Sequence, residues 1–303
     1  MAKARAIVKR RKAVRNIRKI TKTMQMIATA KFQKSLKRAT GTKPFTLKVR
    51  ELVRELAASV GEIDHPLLRR PSAEEQTNRI GLVVLTSNRG LAGAYNGSVL
   101  RMALRFVREQ TQAGKTIDLY VAGKKGISSF NFQKKPIKQR LEAKDAPIYA
   151  DVEKIAQQFI DEFTEGKLDA VHIAYMNFIS AGQQRAEVTT VLPLAGVAES
   201  APAPAGKKPE TETLPGETIY DFMPSAKELL DELLPQTVKA AMFQAFLDAT
   251  TSEHVSRMIA MKSATDNADK IGKALTMQYN RARQSQITTE LSEIMGGVEA
   301  MKG

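Results

Sequence analysis

The chain contains no cysteine and no tryptophan, and only 6% of its residues are aromatic. Without cysteine there is no disulfide, no thiolate metal site and no cysteine nucleophile. Few large rings, set against 12 methionines, suit helix seams better than a compact all-β core. No stretch reaches the ~18 apolar residues that a membrane-spanning helix needs. The start, Met1 to Arg5, is basic but lacks the apolar run of a signal peptide. A transit peptide is also Arg-rich and acid-poor, but here a regular apolar stripe continues far past any plausible cleavage point. The most informative absence is that of negative charge. Residues 1–50 hold 17 Lys or Arg and no Asp or Glu; the first acid is Glu51, and the whole chain carries a formal charge of +15. Such a field implies an acidic partner: nucleic acid, an anionic membrane or an acidic protein surface. Composition does not choose among the three.

With 303 residues the chain is long enough for one to three domains. Three segments are distinguishable. In 1–60, Val14, Ile17, Ile20, Met24 and Ile27 fall at steps of three and four, and the pattern resumes at Val49, Leu52, Val53, Leu56 and Val60. That spacing predicts one helix face, which Gly41 and Pro44 kink or end locally. In 75–218, apolar runs at 80–86, 116–122 and 170–178 read as buried strands, with 187–194 a possible fourth. Helical stretches at 96–113 and 148–165 alternate with them. This predicts a small parallel, Rossmann-like α/β sheet. Residues 196–218, rich in Ala, Pro, Gly, Thr and Glu, read as a mobile surface loop. In 219–303 a helical stripe runs from about Ser225, where Ser225 and Glu228 suggest a capping box, to Met295, and Gly296 and Gly297 supply a stop. About 70 helical residues span roughly 105 Å at 1.5 Å each, so such a helix needs a partner along its length. The other terminal helix is that partner, and the pair is expected to wrap into an antiparallel coiled coil.

Few constellations carry chemistry. His65, His172 and His254 are isolated and fit no metal-binding frame. Gly90 to Gly97 follows a strand and precedes a helix, where a dinucleotide fold holds phosphate, but the spacing is not GxGxxG and no GxxxxGK[ST] exists. A tight turn explains it equally well. The basic amino-terminal helix is compatible with a DNA-binding region; against that, aromatics are not interleaved with its cations, and Met24, Met26, Ile27, Ala28 and Ala30 look like a packed seam. In the last helix Ala260, Ser263, Ala264, Ala268, Gly272 and Ala274 are small enough to let a second helix approach. Arg281, Arg283, Gln284 and Thr288 are polar and suited to contacts outside the chain.

Four runs together resemble the gamma subunits of F-type ATP synthases, of bacterial type. They are IRKITKTMQMIATAK (17–31), SNRGLAGAYN (87–96), SEHVSRMIAMKSATDNA (252–268) and YNRARQSQITTELSEIMGG (279–297). The resemblance covers both ends and the centre. Asn88 stands where that family usually has Asp, Val298 where a small Ala is common, and Met223 where Glu is frequent. The cysteine-bearing insert of chloroplast members is absent.

The resemblance implies a central rotor shaft with no catalytic site and no cofactor of its own. Its terminal helices would lie inside a ring of alpha and beta subunits, and its α/β domain would dock, with the epsilon subunit, on the membrane c-ring. Turning the asymmetric shaft would make each catalytic site exchange states, coupling proton flow to ATP synthesis or hydrolysis. It implies beta-subunit contacts at Arg283, Gln284 and Thr288, at Met24 and Arg257, and along the basic face that includes Lys19 and Lys22. It implies a foot near the c-ring and epsilon at Tyr220, Asp221 and Met223. The place implied is the cytoplasmic face of a bacterial inner membrane, held there indirectly as a peripheral protein, with no nucleic-acid partner. The rival classes are a basic coiled-coil nucleic-acid binder, which would bind DNA with steep salt dependence, and an α/β enzyme that binds nucleotide near Gly90 to Gly97.

Overall fold

A computed structural model describes residues 2–60, 65–68, 76–142, 144–194 and 226–301. Two long helices bracket an α/β layer. The order is α1 (Ala2–Val60), β1 (Arg79–Leu85), α2 (Tyr95–Gln112), β2 (Thr116–Ala122), α3 (Lys124–Phe132), β3 (Gln139–Leu141), α4 (Tyr149–Thr164), β4 (Ala170–Ser180), β5 (Gln183–Leu192) and α5 (Ala226–Ala300). The expected class, an α/β centre with long terminal helices, is the class observed. The mobile loop expected at 196–218, the cap at Ser225 and the foot residues Tyr220, Asp221 and Met223 lie outside the described residues.

The chain forms two compact units, residues 33–253 and residues 1–32 with 254–303. In the first, five strands stand in the order β3-β2-β1-β4-β5. β1 pairs in parallel with β2 and with β4, placing Val83 opposite Tyr120 and Ile173. The sheet is not purely parallel: β5 returns antiparallel to β4, because a short turn joins them and no crossover helix is available. The pleat sends alternate residues to opposite faces. Leu82, Val84, Leu119 and Val121 meet Tyr95, Val99 and Ala103 of α2 and Phe130 of α3. Val83, Leu85, Tyr120 and Ile173 share a second core with Val152, Ala156 and Phe159 of α4, Val53 and Leu56 of α1, and Leu230, Leu234 and Val238 of α5. Helix α5 is buried almost all round between Thr237 and Ala249, which explains why its apolar residues there form no single stripe.

Helix α3 and strand β3 had no clear signal in the sequence, since Gly126, Ser128 and Ser129 interrupt any apolar period. Helix α1 continues through Gly41 and Pro44 instead of ending there. A proline inside a helix costs about 3 kcal/mol; burial of Ala39, Thr46, Val49 and Val53 on the flanking turns offsets that. Likewise α5 runs past Gly296 and Gly297 to Ala300, so those glycines are not a stop.

In the other unit the helix segments run antiparallel: Arg11 stacks over Tyr279, Arg18 pairs with Asp269, and Thr21 meets Thr265, so numbers rise on one helix as they fall on the other. The seam on α1 differs from the sequence stripe. Ile17, Ile20 and Ile27 are 52%, 59% and 53% exposed. The sheltered positions are Ile7, Arg11, Val14, Thr21, Gln25, Ala28 and Phe32, spaced as a heptad seam. On α5 they are His254, Met258, Met261, Thr265, Ala268, Gly272, Leu275, Tyr279, Ala282 and Gln286. The seam mixes large residues, among them Val14, Phe32, Met261 and Leu275, with small and polar ones such as Thr21, Ala28, Thr265 and Gly272, and Ile17, Ile20 and Ile27 point away from it.

Candidate functional site

In an open α/β sheet, ligands enter the crevice at the carboxyl ends of the strands. Here α5 fills it. Phe246, Ala249 and Thr250 stand beside Leu85 and Thr86, leaving a space of about 30 Å³, room for roughly one water. The Ser252 hydroxyl donates to the Met176 carbonyl at 3.1 Å and fixes the helix there. The turn after β1 is bonded to itself. The Ser87 amide donates to Asn96 Oδ1 at 3.0 Å, and the Ser87 hydroxyl donates to the Arg89 carbonyl at 2.6 Å. The amide at the start of α3 is also engaged: Lys124 N–H reaches Asn88 Oδ1 at 3.2 Å, and Gly126 N–H reaches Thr86 Oγ1 at 2.8 Å. The Ser87, Lys124 and Gly126 amides are therefore spent on the fold, and within Gly90 to Gly97 a tight turn closes where the Tyr95 amide donates to the Ala92 carbonyl at 3.2 Å.

The histidines are apart and differently occupied. His65 accepts from the Leu67 amide at 3.1 Å and faces Asp231 at 3.6 Å; burial holds its ring below the ordinary histidine value, with Asp231 opposing. His172 lies against Phe106, ring centres 4.8 Å apart, and bonds Thr190. Burial, aided by the Lys115 charge, pulls it down to about 4, so it is neutral at physiological pH. His254 is 3% exposed in the helix seam. Among the described residues no three His, Asp or Glu side chains converge as a metal site.

Two polar clusters escaped sequence reasoning, the first because its members are distant in the chain. Tyr120 donates to Glu162 at 2.5 Å, and Lys138 bridges Asp118 at 2.9 Å and Glu162 at 3.3 Å. Burial and then the Glu162 bond push the Tyr120 phenol up to about 12. Burial would raise Glu162, but bonds from Tyr120, Gln158 and Lys138 outweigh it and hold the carboxyl below its usual range. A phenol so high and a carboxylate so low do not exchange protons near neutrality; the cluster ties α4 to β2. The second is Asp248, 6% exposed, which accepts from Gln244 Nε2 at 3.0 Å. Burial raises its carboxyl to about 6, with Glu187 adding to the rise and the Gln244 amide and Lys43 opposing it.

What remains is the surface of the terminal helices. Lys19 and Lys22 are exposed, Met24 is half-buried, and Arg283, Gln284 and Thr288 are exposed on a stretch of α5 where nearly every residue faces solvent. Beyond them Ile287, Leu291, Ile294, Val298 and Met301 form an exposed apolar row, 45% or more accessible. Arg257 is different: it is 8% exposed, folded into the chain's own packing rather than displayed.

A family model described as ATP synthase matches residues 3–301. The ATP synthase gamma chain of Rhodopirellula baltica is 42% identical over 304 residues, covering all of both chains. The chain belongs to the ATP synthase gamma chain family. The gamma chain is a non-catalytic subunit of its complex. The gamma chain of a Nocardioides species is 40% identical over 297 residues, covering 96% of this chain and 93% of that one. The fold is shared with a chain of the Euglena gracilis mitochondrial ATP synthase (OSCP/F1/c-ring, rotational state 3) at a TM-score of 0.63, with 17% identity over 99% of this chain and 95% of the other. It is also shared with one from the Tetrahymena thermophila central stalk and c-ring at 0.56, with 19% identity over 81% and 99%.

Proposed function

We propose that this chain is the central rotor shaft of a proton-translocating ATP synthase, turning inside alpha and beta subunits and resting with epsilon on the c-ring. The observation that carries the reading is the outward aliphatic face of the terminal helices. Ile17, Ile20 and Ile27 on α1 and Ile287, Leu291 and Ile294 on α5 are all about half exposed, away from the seam between the helices. Exposed apolar rows of this length mark a surface that another protein covers. The acid-free residues 1–50 add a cationic field suited to acidic partner loops.

On this reading the chain works as three segments: 1–60 and 219–303 as a coiled-coil shaft, and 75–218 as the α/β foot. Arg283, Gln284 and Thr288 engage a beta-subunit loop by exposed polar contacts. Such contacts are worth about 0–1 kcal/mol each, so they can be made and broken in every turn. Lys19, Lys22 and Met24 meet beta along α1. Arg257 is assigned to the same beta contact, with only 8% of it exposed in the isolated chain. Tyr220, Asp221 and Met223, outside the described residues, are assigned to the contact with epsilon and the c-ring. No helix among the described residues is long and apolar enough to cross a membrane. On this reading membrane association is indirect, through the c-ring, on the cytoplasmic face of a bacterial inner membrane.

The test is co-purification of the tagged chain from mildly solubilised membranes with nuclease present. Recovery of alpha and beta in threefold excess, with ATP hydrolysis, is expected. Recovery of the chain alone, or with nucleic acid that nuclease strips away, would sink the rotor reading.

A further inference from the structure

Asp248 lies in the stretch of α5 that is buried almost all round, where a carboxylate is ordinarily paired with a cation. Here its one hydrogen-bond partner among the described residues is the Gln244 side chain, one helical turn earlier, whose Nε2 donates to Asp248 Oδ1 at 3.0 Å; no Lys or Arg forms an ion pair with it. Gln244 is buried too, and incompletely bonded. Its Nε2 also reaches the Ala39 carbonyl of α1 at 3.4 Å, but among the described residues nothing donates to its buried Oε1. Two defects therefore sit side by side: a buried acid without a cation, and a buried acceptor without a donor. One proton removes both. Placed on Asp248 Oδ2, it neutralises the carboxylate and supplies an O–H that can donate to Gln244 Oε1, while the bond from Nε2 to Oδ1 stays in place. Acid and amide then form a ring closed by two hydrogen bonds.

We propose that Asp248 is a proton-binding site that locks α5 to its neighbours: protonation closes the acid–amide ring with Gln244 and so fixes the amide that holds the Ala39 carbonyl of α1. The charged and titratable groups around the pair come from three elements. Lys43 acts from α1 and favours the ionised acid, whereas Glu187 of β5 favours the protonated one. Tyr175 of β4 donates its hydroxyl to Glu187 Oε1 at 2.9 Å, and burial, with the Glu187 charge, pushes the phenol above its ordinary value, so it stays neutral. Losing the Asp248 charge also removes a repulsion between α5 and Glu187 on β5. Burial is the largest influence on the acid, and the lock opens as pH rises through about 6. The site is a property of the chain alone and goes beyond the rotor reading; in a rotor it makes the hold of α5 on the sheet follow the surrounding pH.

The purified full-length chain tests this. In NMR titrations with isotope-labelled Asp carboxyls, the resonance that Asp248→Asn removes should titrate near 6, against 3.8 for the free side chain. Hydrogen exchange, corrected for the intrinsic effect of pH, should show backbone amides around residues 39 and 248 protected severalfold more at about pH 5 than at about pH 8. In Asp248→Asn the new amide can make both bonds of the ring at any pH, so protection there should be high and independent of pH. Gln244→Leu keeps the burial but cannot form the ring, and the pH-dependent protection around residue 39 should vanish. A carboxyl that titrates near 3.8, equal protection at both pH values in the wild type, or pH-dependent protection around residue 39 that persists in Gln244→Leu would each overturn the lock. The two wild-type measurements decide the matter even where Gln244→Leu does not fold, and none of these outcomes touches the rotor reading.

Discussion

The hydroxyls of Thr21 and Thr265 lie 2.8 Å apart, joining residues 244 positions distant in the chain. Both are at seam positions and both are buried. Thr21 also donates to the Arg18 carbonyl at 3.1 Å, and Thr265 reaches the Met261 carbonyl at 2.8 Å. Each hydroxyl therefore keeps a local partner if the other is lost. Thr265→Val should cost about 0.5–1 kcal/mol, the usual net worth of one hydrogen bond. Adding Thr21→Val should recover most of it, since removing both polar groups from a shared site is nearly neutral. Urea denaturation of the two single variants and the double one would measure the coupling.

The seam also explains what could and could not be read from sequence. The heptad was not legible on α1 because the aliphatic residues that draw the eye, Ile17, Ile20 and Ile27, are on the outside. A hydropathy pattern cannot distinguish a face that packs within the chain from one reserved for a partner. On α5 the small residues Ala268 and Gly272 did mark the seam, whereas Ser263 and Ala274 are exposed. The strands β1, β2 and β4 were legible as β-branched runs because both their faces are buried. Helix α3 was not, since its serines and glycine carry no period and only packing of Phe130 beneath the sheet keeps it helical. Gly126 proves essential to that packing: a Cβ there would meet Thr86 Oγ1 at 2.6 Å. The Asp248 and Tyr120 clusters are products of topology, and no local spacing announces them.

Gly123 supplies a sharp test of the turn into α3. Its φ is +93°, and a Cβ would lie 2.1 Å from the Thr86 carbonyl oxygen, which is backbone and cannot swing aside. Gly123→Ala should destabilise the purified chain by about 3 kcal/mol or more, combining a left-handed backbone with a clash. Gly114→Ala is the control, since it also has positive φ, at +79°, but open space around it; its cost should stay near 1 kcal/mol.

Asp248 and His172 impose opposite pH dependences. Asp248 titrates near 6 in the folded chain against 3.8 for the free side chain. Its protonated form is favoured by folding, so that stability is full below about 3.8 and is lost as pH rises through 6. His172 titrates near 4 against 6.5. Its neutral form is favoured by folding, so its contribution is full above 6.5 and is lost as pH falls toward 4. Between pH 4 and 6 the two slopes oppose each other. Asp248→Asn should add about 2–3 kcal/mol at pH 7.5 and almost nothing at pH 3.5, from roughly 1.4 kcal/mol per pKa unit. It should also unmask a stability that climbs with pH between 4 and 6.5. His172→Gln should unmask the reverse slope. Thermal melts of the three proteins across that range would show both.

The exposed face yields the prediction that separates a partner surface from a fold surface. Ile17, Ile20 and Ile27 are about half accessible, and side chains so placed contribute little to the folding of their own chain. Replacing all three by Ser should leave the melting of the purified protein within about 0.5 kcal/mol per residue of wild type, as is usual for surface positions. If other subunits cover the face, the same change removes apolar burial of about 1.5–3 kcal/mol for each side chain fully enclosed. Recovery of alpha and beta with the tagged chain should then drop at least tenfold. Arg283→Ala with Gln284→Ala should behave differently, because exposed polar contacts carry little binding energy. Assembly should survive, and the loss should appear in coupled ATP synthesis. A triple-serine chain that assembles normally would show that the row on α1 is a solvent face, and a double-alanine chain that couples normally would show the same of the polar end of α5.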